Sequence, residues 1–162
     1  MGVSGCGKTS VAEGLAASLG AAFIEGDSLH PAGNVEKMSH GIPLTDEDRW
    51  PWLDAIGQVL AQALGKDGSV VVSCSALKRA YRDRLRQAAG GALAFVFLKG
   101  SRELLVSRMA ARQGHFMPAS LLDSQLATLE DPSGEPGVVT VDIDASVEEI
   151  VAAALQGLAS RG

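Results

Sequence analysis

The residues most able to do chemistry lie at the start of the chain. Gly2, Val3, Ser4, Gly5, Cys6, Gly7, Lys8 and Thr9 spell GxxxxGK(S/T), the Walker A pattern. Glycines at this spacing let successive backbone N–H groups turn toward a phosphate chain. Lys8 supplies a cation to the β- and γ-phosphates, and the Thr9 hydroxyl is a ligand for Mg²⁺. The helix expected to begin near Lys8 adds the positive end of its dipole. The implied cosubstrate is ATP and the implied metal Mg²⁺. Cys6 lies among the same N–H groups, which favour an anion, so its thiol is expected to be reactive and shielded by bound ATP.

A Walker A loop fixes nucleotide binding, and other acids and bases must fix the reaction. The valine-rich run that ends in an acid in many ATPases ends here in Ser73, Cys74 and Ser75. The acids are instead expected at Glu25 and Asp27, two residues apart at a strand end and so on one side of it. Glu25 suits Mg²⁺. Asp27 suits a catalytic role, orienting an acceptor hydroxyl and taking its proton during phosphoryl transfer. Arg108 and Arg112 are four apart on one helical face, and the polar stretch QGHFMP follows. That pattern predicts a lid around 112–120, with Arg108 on the nucleotide and Arg112 catalytic beside the transferring phosphoryl group. In CSALKRAYRDRLR, Lys78, Arg82 and Arg86 recur at helical spacing. Lys78 and Arg82 are nearest the strand end, where open α/β sheets bind ligands, and suit an anionic, polyhydroxylated acceptor.

The elements that must position these groups follow from periodicity. A helix is expected over Lys8–Leu19, closed by Gly20, and a short strand over AAFIEGD. Residues 28–52 are rich in turn formers and predict a substrate-binding excursion with one short helix around Val35–Ser39. Leu53, Ile56, Leu60 and Leu64 mark a long helix, with Asp48 as N-cap and Pro51 in its first turn. Further strands are expected from about Val70, Leu93 and Val138. Ser101 caps one later helix, and Ser146 with Glu149 forms a capping box for the last. Strands alternating with helices, without hairpin signals, predict an α/β fold with a parallel sheet and helices on both faces.

The 162 residues, 46% of them hydrophobic, suit one domain over 1–162. No run approaches the roughly 18 apolar residues of a membrane span, and no signal-peptide pattern opens the chain, so a cytoplasmic protein is expected. Net charge is −5, which argues against nucleic-acid or membrane partners. Yet residues 78–112 hold nine Lys or Arg against two acids, and this basic island predicts a dedicated anion site. Cys6 and Cys74 fit no disulfide framework or metal pair.

Six blocks, GVSGCGKTSVA, FIEGDSLHPAGNVEKMSHGIPLTDEDRWPWL, CSALKRAYRDRLR, FVFLKG, SRMAARQGHFMPASLLDSQLATLE and VVTVDID, together resemble the bacterial gluconate kinases in order and spacing. The resemblance implies a P-loop fold like that of nucleoside-monophosphate kinases and transfer from ATP, with Mg²⁺, to the 6-hydroxyl of D-gluconate. It also implies a homodimer, supports Asp27, and adds His30 and Arg49 to Lys78 and Arg82 as candidates for the sugar-acid pocket. One departure stands out. An apolar strand runs into the glycine loop in that family, whereas only Met1 precedes the loop here. The strand is therefore expected to be missing, leaving a space between the strands at Val70 and Val138. Kinases of shikimate-like or adenylylsulfate-like acceptors, and a non-catalytic nucleotide-binding protein, are the competing functions. No NKxD-type guanine motif supports a GTPase.

Overall fold

Short β-branched and aromatic runs form four strands in the computed structural model, which describes residues 1–66, 68–112 and 118–161. They are β1 (Ala22–Glu25), β2 (Val70–Ser73), β3 (Phe95–Lys99) and β4 (Val138–Asp142). β1 pairs parallel with β2 from Ala22↔Val70 to Glu25↔Ser73. β3 pairs parallel with β4 from Phe95↔Val138 to Lys99↔Asp142. The result is an α/β fold with two parallel pairs.

The two pairs do not meet directly. Met1 N donates to Val96 O (2.6 Å) and Leu98 N to Met1 O (3.0 Å), while Gly2 N donates to Ser75 O (3.3 Å). The start of the glycine loop therefore runs along β3 and crosses to the end of β2. The expectation that the strands at Val70 and Val138 face each other across a space is corrected: the space is between β2 and β3. Hydrophobic runs identify strands but carry no record of their order. A cavity of about 320 Å³ lies there, lined by Val11, Ile56, Val70, Val72, Val96 and Leu98 among others.

α1 (Lys8–Leu19) ends at Gly20, whose φ of 62° lets its N–H reach Ala16 O and Ala17 O. After a 3₁₀ turn (Gly26–Leu29) come α2 (Ala32–Ser39) and α3 (Asp46–Leu64). α3 begins earlier than its sequence suggests. Thr45 is the N-cap and Asp48 closes a reciprocal capping box with it, so Pro51 sits inside the helix and not in the first turn. An interior proline costs ~3 kcal/mol. Burial of Trp52, Leu53, Ile56 and Leu60 on the same helix, at about 1.5–3 kcal/mol each, offsets that cost.

α4 (Arg79–Ala88) follows β2, and α5 (Arg102–Ala111) follows β3 with Ser101 accepting from Leu104 N. α6 (Ala119–Thr128) is a helix the periodicity reading did not anticipate. α7 (Val147–Ala159) starts at the expected Ser146–Glu149 capping box. α1 packs on α7, and α3 on α4. Of the predicted lid, residues 113–117 lie outside the described residues.

Candidate active site

The glycine loop turns into α1 at Gly7, whose φ of 87° is a left-handed conformation that disfavours any side chain. Lys8 Nζ donates to Val3 O (3.1 Å), so the ammonium lies back along the loop that would carry phosphates. Thr9 Oγ1 donates to Glu25 Oε2 (2.5 Å), and the Ser73 hydroxyl donates to Glu25 Oε1. Ser73 Oγ also accepts from Gly26 N (3.1 Å). The approach is close: a Cβ at Gly26 would lie 2.0 Å from Ser73 O. Glycine there is what lets the end of β1 press on the end of β2 and bring Glu25 to Thr9. A hydroxyl and a carboxylate in contact are hard oxygen donors of the kind Mg²⁺ takes. Among the described residues no cluster of three His, Cys, Asp or Glu side chains exists.

A second, polar cavity of about 70 Å³ opens beside the loop, lined by Lys8, Asp27, His30, Arg49, Ser75 and Gln125 together with apolar groups. The Asp27 side chain is 66% exposed, and His30 Nε2 lies 3.9 Å from its Oδ1. His30 stacks on Trp52 with centroids 4.1 Å apart, and Trp52 Nε1 donates to Gly26 O (2.8 Å). Burial, opposed by Asp27, lowers the His30 pKa below the usual imidazole value. Arg49 is 9% exposed, and Nη1 donates to Tyr81 Oη (3.1 Å). The Tyr81 hydroxyl donates to Asp46, which also accepts from Lys78 Nζ (3.0 Å). The Tyr81 bond first, then Lys78, depresses the Asp46 pKa. Arg49 takes no carboxylate partner among the described ion pairs.

Comparison with known proteins decides the family. Residues 1–132 match the family model described as an AAA domain. A gluconokinase of Gluconobacter oxydans is 51% identical over 157 residues, spanning 93% of this chain and 86% of the relative. The thermoresistant gluconokinase of Escherichia coli is 46% identical over 158 residues, 96% of this chain and 89% of that one. This chain belongs to the gluconokinase family. A crystal structure of a gluconokinase from Sinorhizobium meliloti 1021 superposes with a TM-score of 0.92 at 61% identity, covering 99% of this chain and 89% of that one. An APS kinase of Mycobacterium tuberculosis, at 22% identity and a TM-score of 0.70, shares the fold.

Several residues of this gluconokinase-family chain are placed otherwise than expected. Arg82 is 0% exposed. Its guanidinium donates to Ala76 O, Leu77 O, Glu130 O and both Glu135 carboxylate oxygens. It has no N–H to offer a substrate, and its assignment to the sugar-acid pocket is corrected. Ala76 has a φ of 44°, a conformation costing of order 1–3 kcal/mol for a non-glycine residue. Arg82 clamps that turn from behind, which positions Ser75 in the pocket wall. The basic island likewise dissolves into pairs: Arg79 with Asp83, Arg84 with Asp54, Arg86 with Asp83 and Glu135, Lys99 with Asp131, Arg102 with Asp123. Most of those acids lie outside the island in sequence and beside it in space, so these paired cations do not form a dedicated anion site.

Lys78 is held by Asp46 outside the cavity lining. Arg108 Nη2 donates to Ile143 O (2.5 Å) at the end of β4, and Arg112 is exposed where α5 stops. Cys6 is 0% exposed, packed so that a Cβ at Gly2 would lie 2.8 Å from its Sγ. The expected reactivity is therefore corrected: the thiol is a core filler. Cys74 is buried too, and burial raises its pKa to about 11. Sequence reasoning missed Gln125, whose Oε1 accepts from Ser4 N (2.7 Å). It belongs to the helix that periodicity left unread. Asn34 was also missed, although its spacing of four from His30 is visible in the sequence.

Proposed function

We propose that this chain phosphorylates D-gluconate at its 6-hydroxyl with ATP, giving 6-phosphogluconate and ADP. The observation that carries the reading is Arg49, a nearly buried guanidinium with one phenol partner, lining the same cavity as Lys8 and Asp27. A buried cation without a carboxylate is costly until an anion arrives, and the carboxylate of a sugar acid supplies one. Its hydroxyls find Asp27, His30 and Ser75 on the other walls.

In the transfer, the acceptor oxygen attacks the γ-phosphorus, its proton passes to Asp27, and the bond to the β,γ-bridging oxygen breaks to release ADP. Lys8 and the loop N–H groups stabilise the charge that spreads over the phosphoryl oxygens. Thr9 and Glu25 are the residues that would hold Mg²⁺, which when bound neutralises charge on the β- and γ-phosphates. Arg108 and Arg112 complete the reading as nucleotide and phosphoryl contacts. The bond from Ser4 N to Gln125 lies in the wall of the polar cavity.

The same reading takes the chain as one domain, its substrate excursion over 28–52, acting as a cytoplasmic homodimer. No described helix is long and apolar enough to cross a membrane. A coupled ADP-release assay with gluconate, shikimate and adenylylsulfate tests the function. Turnover with gluconate alone is expected. Equal or faster turnover with another acceptor would overturn the substrate assignment, and release without any acceptor would overturn the kinase reading.

A further inference from the structure

We propose that Asn34 locks His30 as the neutral Nε2–H tautomer, which makes His30 a hydrogen-bond donor in the pocket and leaves Asp27 alone to take the acceptor's proton. The identity of that acceptor and the role of Asp27 rest on the gluconate-kinase reading above; the tautomer does not.

Asn34 is 5% exposed, and its Nδ2 donates to Asp48 O at 2.8 Å. A carbonyl oxygen can only accept, so this bond fixes which end of the amide is nitrogen. The same Nδ2 lies 3.2 Å from His30 Nδ1. An amide nitrogen has no lone pair to give, so the contact is a hydrogen bond only if Nδ1 is bare. The ring proton is then on Nε2, the nitrogen 3.9 Å from Asp27 Oδ1. The stack on Trp52 holds the ring plane, and the side chain is 3% exposed.

A second proton at Nδ1 would point at the Asn34 N–H. Burial opposes the cation as well, and Arg49 from α3 adds to that opposition, while Asp27 from the 3₁₀ turn favours it. Lys8 from α1, lining the same cavity, is a further cation. The Asp48 carboxylate, by contrast, is taken by Lys37 (2.8 Å). His30 therefore has one nitrogen occupied as an acceptor and the other carrying a proton. Neither can receive the proton of an attacking hydroxyl. Asp27 can, and the His30 Nε2–H is left to orient Asp27 or an acceptor oxygen.

The test is a long-range ¹H–¹⁵N correlation spectrum of the labelled full chain at neutral pH, with His30 assigned by the signals lost in His30→Gln. One protonated Nε2 and one lone-pair Nδ1 are expected, persisting below the ordinary imidazole pKa of about 6.5. An Nδ1–H ring or an imidazolium would overturn the proposal. Asn34→Asp supplies an acceptor for Nδ1–H, so the ring should take both protons and kcat/KM should gain an ionisation in the imidazole range. An unchanged tautomer and pH profile in that variant would also overturn it, and if the variant does not fold, the wild-type spectrum still decides. A wild-type chain inert toward gluconate but with the Nε2–H spectrum would sink the substrate reading and support the tautomer. Gluconate turnover with an Nδ1–H ring would do the reverse.

Discussion

Arg49 on α3 and Arg82 on α4 are buried arginines on two helices that pack together, at 9% and 0% exposure. Arg82 donates five hydrogen bonds to protein oxygens, two of them to the Glu135 carboxylate. Arg49 donates one, to the Tyr81 hydroxyl. A saturated guanidinium is a fastener, whereas one that keeps donors turned to a cavity is a binding group. The same residue type, buried at both positions, divides by its partners.

The comparison breaks most visibly in stability. Arg82→Ala leaves Glu135 with Arg86 as its remaining cation and strands the carbonyls of the Ala76 turn, which should cost about 3 kcal/mol or more. At about 2–4 °C per kcal/mol for a chain of this size, thermal unfolding should show a drop of roughly 10 °C. A variant that melts like the parent would return Arg82 to the binding set. Lys8→Ala should do the opposite. Its ammonium makes one bond, to Val3 O, so melting should change little while kcat falls ~100-fold or more. Near-normal turnover would remove Lys8 from the mechanism.

How far these roles could be read from sequence depends on what each required. The glycine loop, the Ser146–Glu149 box and all four strands are local patterns, and each forms near where its residues say. Asp27, His30 and Arg49 were named as candidates, and they converge on one cavity. Arg82 was misjudged because its partners Glu130 and Glu135 are about fifty positions away, and no spacing rule reaches that far. Strand order failed for a related reason: β2, β3 and β4 look alike as apolar runs, and only Met1 bonding to Val96 and Leu98 shows which edge faces the gap. Gln125 was lost with α6, whose apolar residues did not suggest a helix beside the polar stretch before it.

The binding half of the comparison sharpens with Arg49→Ala. Losing a charge-assisted hydrogen bond to a carboxylate, worth about 1.5–3 kcal/mol, should raise KM for gluconate by roughly 10- to 100-fold. kcat should change less. Arg49→Lys should not rescue, because an ammonium cannot form the planar fork. A KM unchanged in both variants would place the substrate carboxylate elsewhere.

The smallest effect comes from a third cation, paired like Arg82 but near the surface. Lys37 Nζ lies 2.9 and 2.8 Å from the two Asp48 carboxylate oxygens, and Asp48 Oδ2 also accepts from Thr45 N (2.9 Å). Lys37, then the Thr45 backbone, hold the Asp48 pKa down to about 2. An unfolded aspartate titrates near ~3.9, so between the two values the unfolded chain binds the proton and the folded chain does not. The stabilisation from this pair is therefore fully present above about pH 4 and is lost as pH falls toward about 2. Solvent and salt screen it at this position, so a slight lowering of Tm in Asp48→Asn is expected at neutral pH. That difference should shrink in acid and in high salt. Gluconate KM should hold, because Asp48 touches the pocket only through its backbone oxygen on Asn34. A Tm difference that persisted unchanged into acid would show that Asp48 acts as an uncharged cap, and that a cation's pairing near the surface, unlike that of Arg82 inside, contributes nothing to the fold.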